Sequence, residues 1–186
     1  MSIIFLMSDN LTVLINDKSA MPPSRKQKAE LGVDPTQLIA YRVLTLSQLL
    51  NRGIEVILET HLGLSVRQWR VLLCIGNKGP QSVQEIADFC RYDKSQVSRA
   101  VSELLEKQLI ITAASPTDGR RVLVDLTTAG QAIYEQGLPL SLARQQRLAS
   151  CLSARELGTF EKAMQTLIHQ AEGLLQEAHE ARDKAR

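Results

Sequence analysis

The chain has 186 residues, of which 44% are hydrophobic, 23% charged and only 4% aromatic, with a formal net charge of +2. This is a globular composition of one-domain length with room for an extension, and no apolar run is long enough to span a bilayer. Cys74, Cys90 and Cys151 form an odd set without close spacing, which argues against a disulfide framework or zinc site and for a reducing, cytoplasmic setting.

Residues 1–34 read as a flexible leader. The stretch at 1–7 is apolar but short, without the basic start of a signal peptide. Polar sequence then carries Pro22-Pro23 and the basic run Arg25-Lys26-Gln27-Lys28. Six helices follow. Each is opened by an Asp, Ser or Thr with a Glu or Gln three positions on, the pattern of a capping box. The pairs are Asp34/Gln37, Ser65/Gln68, Ser82/Glu85, Asp93/Gln96, Thr128/Gln131 and Ser153/Glu156.

The first helix is expected from about 35 to 59, with Leu38, Val43, Leu46, Leu49, Ile54 and Leu58 on its apolar positions. The second carries Trp69, Val71, Leu72 and Ile75 and stops at Gly76–Pro80. The third is short, with Val83, Ile86 and Ala87 on one face. The fourth has Val97, Ala100, Val101, Leu104 and Leu105, the spacing of a packed amphipathic helix. Two β-prone runs, 109–112 and 122–126, flank the turn signal Ser115-Pro116-Thr117-Asp118-Gly119 and predict a hairpin. The fifth helix is expected over about 128–150 with a kink or break near Leu138, because Gly137 and Pro139 fall inside it. The sixth runs from Ala154 almost to the end, with Leu157, Phe160, Met164, Leu167, Ile168, Leu174 and Leu175.

A short helix, a tight turn and a second helix make the helix-turn-helix layout, in which the second helix enters the major groove. With Val97, Ala100, Val101 and Leu104 inward, the fourth helix turns Lys94, Ser95, Gln96, Ser98 and Arg99 outward. Gln suits adenine, Arg suits guanine and Ser is permissive. Downstream, the hairpin tip carries Arg120 and Arg121, and a guanidinium fits a narrow A·T-rich minor groove. Asp118 beside them reads as the group that orients the arginine; the plain alternative is a turn that needs Asp and Gly.

These residues resemble the MarR family of winged helix-turn-helix transcriptional regulators. The similarity covers about 37–170. It is carried by Leu64-Ser65-Val66-Arg67-Gln68-Trp69-Arg70 for the second helix and by Ser82–Ala87 for the third. It continues in Asp93-Lys94-Ser95-Gln96-Val97-Ser98-Arg99 for the recognition helix and in Asp118-Gly119-Arg120 followed by Leu126-Thr127-Thr128-Ala129-Gly130 for the wing. The resemblance implies a mainly α fold with a small β-hairpin wing. Dimerisation helices then occupy 35–64 and 128–186, around a DNA-binding lobe at 65–127. It also implies a homodimer on palindromic double-stranded DNA, usually a repressor, often released by a small phenolic or aromatic acid. The first and last helices carry more apolar positions than one small domain buries, which independently predicts a partner copy.

Other chemistries find little support. There is no Walker loop, GxSxG, HExxH or paired CxxC, and His61, His169 and His179 are too dispersed to form a metal set with lone cysteines. No enzyme, cofactor or metal is expected. For an inducer, the junction of the first, second and fifth helices offers Tyr41, Arg42, His61, Trp69 and Arg70. Their plainer readings are a core Trp69, surface or interface ion pairs for Arg42 and Arg70, and a helix-end cation at His61. Two alternatives remain: a constitutive regulator, and a redox-responsive one using Cys90, whose neighbours Arg91 and Lys94 would lower its pKa.

Overall fold

The computed structural model describes residues 34–116 and 118–185. The leader expected over 1–34 lies outside them except for Asp34, as does Thr117 of the turn. Contacts divide the chain into two units, residues 1–50 and 51–186.

In the first unit, the Asp34 carboxylate accepts from the backbone N–H of Thr36 at 2.9 Å and from its hydroxyl at 2.7 Å. That capture opens a single 3-10 turn, Pro35–Gln37, and Leu38 is extended beyond it. Helix α1 therefore begins one turn later than expected and runs Ile39–Leu62. Leu38, Ile39, Tyr41, Val43, Leu44, Leu46 and Leu49 are exposed.

In the second unit, Ile54 and Leu58 on the last turns of α1 join the core. Gly63, at φ 63°, ends the helix in the left-handed region, where glycine is unstrained. There follow α2 (Val66–Lys78), α3 (Val83–Cys90), α4 (Lys94–Glu106), β1 (Ile110–Ala114), β2 (Val122–Leu126), α5 (Thr128–Ala149) and α6 (Ala154–Lys184). Complete capping boxes form at Ser65/Gln68, Ser82/Glu85 and Ser153/Glu156. The other three expected boxes do not. Asp34 caps Thr36 instead, Asp93 makes no side-chain capping bond, and Thr127 rather than Thr128 caps α5.

The core is one cluster. Leu58, Trp69, Val71, Leu72, Cys74 and Ile75 meet Ile86, Cys90, Val97, Ala100, Leu104, Ile110 and Val124. The strands pair antiparallel, from Ile110 opposite Leu126 to Ala114 opposite Val122. A bridge between Gln81 and Val124 fastens β2 to the start of α3.

Of the kink or break expected near Leu138, the break does not occur: helix α5 continues through Pro139. Gly137 explains why packing prevails. A Cβ there would sit 2.4 Å from the Trp69 ring, so its absence lets the indole lie against the helix. The indole N–H donates to Ser141 Oγ at 3.1 Å, and the ring stacks on Tyr134. Contacts on both sides of the proline thus oppose a loss of about 3 kcal/mol of helix propensity. No residue of α6 is buried. Among the described residues, no helix is long and apolar enough to cross a membrane.

Candidate nucleic-acid interface

Helix α4 is amphipathic in the expected sense. Val97, Ala100, Val101 and Leu104 are buried. Lys94, Ser95, Ser98 and Arg99 are exposed, and Gln96 is half-buried. The Asp93 carboxylate makes no capping bond, and the Asp93 carbonyl takes the Gln96 and Val97 N–H groups, leaving those of Lys94 and Ser95 uncapped by it. Those N–H groups, at the positive end of the helix dipole, therefore suit an anionic oxygen.

The polar tethers of helix α4 lie at its far end. Gln68, 6% exposed, donates from Nε2 to Glu103 Oε2 at 2.7 Å, while its Oε1 accepts the Ser65 N–H at 3.0 Å. Lys107 Nζ donates to the Gly63 carbonyl at 3.0 Å. Gln108 adopts φ 56°, and its carbonyl accepts the Thr127 hydroxyl at 2.8 Å. The Thr127 Oγ1 also accepts the Gly130 N–H at 3.0 Å. One threonine thus caps α5 and ties down the end of α4.

The wing tip is a turn closed by Asp118. Its carboxylate accepts the Arg120 backbone N–H at 3.1 Å, and its carbonyl accepts the Arg121 N–H at 2.9 Å. Asp118 therefore orients the arginine through the backbone. The guanidinium pairing expected of it is not made, because the turn consumes the carboxylate locally. Arg120 is exposed and, among the described residues, has no ion-pair partner. Arg121 instead reaches back to α3, with Nη2 2.9 Å from Glu85 Oε1 and 3.5 Å from Ser82 Oγ. This contact, between residues far apart in sequence, had no local signal. Hydrogen bonds from the Ser82 backbone, the Ser82 hydroxyl and Arg121 hold the Glu85 carboxyl down to about 2.

Within the second unit, the proposed ligand residues Trp69, Arg70 and His61 meet separate surroundings. Trp69 is core, with its indole N–H engaged by Ser141. Arg70 faces the end of α3, donating to the Cys90 carbonyl at 3.3 Å with its guanidinium 5.3 Å from the Tyr92 ring centre. Tyr41, Arg42 and His61 are exposed on α1.

Cys90 corrects the redox expectation. Burial, then the neighbouring Cys74, pushes its thiol up to about 11 against the opposing effect of Arg70. Its Sγ lies 3.6 Å from the Arg70 carbonyl, and Arg91 pairs with Glu172 at 2.6 Å. Desolvation outweighs Arg70, which favours the protonated thiol over a reactive thiolate.

Comparison with known proteins agrees with this geometry. The model of the MarR family matches residues 62–121. The chain is 27% identical over 113 residues to the transcriptional repressor IacR of Pseudomonas putida, covering 61% of this chain and 68% of that one. It is 30% identical over 95 residues to the transcriptional regulator MhqR of Bacillus subtilis, covering 51% and 66%. The chain thus spans about two thirds of each relative. Among solved structures, a MarR/EmrR family regulator from Acinetobacter superposes with a TM-score of 0.71 at 23% identity, over 76% of this chain and 99% of that one.

Proposed function

The chain belongs to the MarR family of winged-helix, DNA-binding transcriptional regulators, and on that premise we propose that it is a homodimeric repressor of a pseudo-palindromic operator. The observation that carries this reading is the exposed polar face of α4 beside an anchored, arginine-tipped hairpin. Lys94 and Ser95 meet phosphates, Gln96, Ser98 and Arg99 meet base edges, and Arg120 enters the minor groove. Repression is the role of the similar Pseudomonas regulator.

Dimerisation is supported by unburied apolar surface. Phe160, Leu167, Ile168, Leu174 and Leu175 of α6 are all more than a third exposed, and a stripe of that length wants a partner. Twofold symmetry would set the two recognition helices about 34 Å apart, one turn of duplex. The proposed release signal is a small aromatic or heteroaromatic carboxylate that favours a dimer geometry whose spacing no longer fits DNA. Tyr41, Arg42 and His61 each remain candidates for it.

The test is enrichment of duplexes from a random pool by the purified protein, with sedimentation to fix the stoichiometry. One dimer per enriched inverted repeat is expected. Failure to enrich any sequence refutes the regulator reading. A monomer at micromolar concentration refutes the dimer. A thermal-shift screen of aromatic acids, followed by release of the enriched duplex, tests the ligand.

A further inference from the structure

Two adjacent arginines at the wing tip meet different surroundings. Arg120 is exposed without an ion pair among the described residues, whereas Arg121 is bound to α3. From this we infer that Arg121 is a positioning residue for the wing rather than a DNA contact, and that Glu85 with Ser82 is its anchor. The inference rests on the DNA-binding reading above.

The Glu85 carboxylate is shared between two tasks. Oε2 accepts the Ser82 N–H at 2.8 Å and the Ser82 hydroxyl at 2.7 Å, closing the cap of α3. Oε1 is left for Arg121 at 2.9 Å. A surface ion pair is weak largely because two long side chains must be ordered to make it. Here the cap has already ordered Glu85, so only Arg121 loses freedom.

The site of attachment also matters. Arg121 closes the hairpin, because its carbonyl accepts the Ser115 N–H at 2.7 Å and its N–H donates to Asp118. Anchoring this residue restrains the whole tip. Three residues on, Val124 exchanges backbone hydrogen bonds with Gln81 at 2.8 and 3.0 Å. One tether between β2 and the start of α3 would leave a hinge; two, at Gln81–Val124 and Glu85–Arg121, fix the direction in which Arg120 is presented.

Charge counting and positioning predict opposite signs. Glu85 is an anion near the DNA-facing surface, so simple electrostatics says that Glu85→Gln tightens binding. Positioning says that it weakens binding. Glutamine still closes a capping box, so the substitution removes the ion pair and spares the helix start.

The experiment compares Glu85→Gln, Arg121→Gln and the double variant on the duplex that the wild-type protein enriches. Each single variant is expected to lose about two- to fivefold in affinity, the scale of a half-exposed pair, and the double variant is expected to lose no more. The slope of log K against log salt stays at the wild-type value. Equal or tighter binding by Glu85→Gln overturns the inference. So does a slope shallower by about 0.9 in Arg121→Gln alone, the mark of a lost phosphate contact. Hydrogen exchange without DNA separates this inference from the parent reading. Glu85→Gln is expected to speed exchange at the Ser115 and Arg121 amides, and unchanged exchange overturns the anchor whether or not any duplex is bound.

Discussion

Gly130 gives the sharpest stability prediction. A Cβ added there would lie 1.8 Å from the Leu109 carbonyl oxygen and 2.9 Å from the Leu109 carbonyl carbon. Since real Cβ atoms keep at least 3.0 Å, Gly130→Ala must displace backbone by roughly 1 Å or more, well beyond what a packed contact tolerates. The displaced carbonyl accepts the Thr127 N–H at 3.1 Å, and Thr127 holds the preceding carbonyl of Gln108 as well. Losing or stretching these bonds costs about 1 kcal/mol each, and overpacking adds about 1–3 kcal/mol. Alanine's better helix propensity returns only about 1 kcal/mol. The net expectation is a loss of roughly 2–4 kcal/mol. Urea denaturation followed by circular dichroism, at one protein concentration, reads this as a lower midpoint at unchanged slope. Gly53→Ala is the control, since nothing lies within 4 Å of its added Cβ; it is expected to be neutral or stabilising by up to about 1 kcal/mol. A Gly130→Ala protein as stable as wild type would refute the reasoning.

Arg120→Ala is expected to weaken operator binding by about 1–3 kcal/mol while sedimentation stays unchanged; wild-type affinity in a gel-shift titration would remove Arg120 from the interface. Ser141→Ala strands the buried Trp69 indole N–H and should lower stability by about 1–3 kcal/mol, which a thermal melt with tryptophan fluorescence would detect. Iodoacetamide on the native protein should label the exposed Cys151 and leave the buried Cys74 and Cys90 unmodified, burial also pushing the Cys74 thiol up. Rapid labelling at Cys90 would restore the redox reading. Gln68→Glu keeps a capping residue but sets a carboxylate against Glu103, so DNA binding should fall at neutral pH and recover as the pH is lowered, because two facing like charges favour uptake of a proton. A pH-independent variant of wild-type affinity would show that the tether is idle.

What was legible in the sequence was local. Ser65/Gln68, Ser82/Glu85 and Ser153/Glu156 close as written, because each box needs only four consecutive residues and an apolar stripe behind them. Thr128 was the wrong cap by one residue, since Thr127 also serves the Gln108 carbonyl from another element. At Pro139 backbone rules predict a kink or break, and the contacts of Trp69 with Gly137 and Ser141 favour a continuous helix. Cys90 reads from its sequence neighbours as either a core residue or a cation-activated thiol, and its burial fits the core reading. Arg121–Glu85 and Gln68–Glu103 join residues that only the fold brings together, and no spacing rule announces such pairs.

The distribution of tethers along α4 has a mechanical consequence. Glu103, Lys107 and Gln108, at the end of the helix or just beyond, are bonded to Gln68, Gly63 and Thr127. The reading end has no side-chain cap and is held by Val97, Ala100 and Val101 in the core. At 1.5 Å per residue, the 13 residues of α4 make a lever of about 20 Å. A tilt of about 10° around the tethered end therefore moves the first turn by about 3 Å, the length of a hydrogen bond. A base contact does not survive that displacement, and the fully buried Val97 in the first turn moves nearly as far, so core packing at this end resists the tilt. The corner at Gly63–Gln68 and the start of α5 at Thr127–Gly130 thus set the aim of the recognition helix. On the proposed reading, an influence that moves either corner changes DNA affinity without touching Lys94, Gln96 or Arg99.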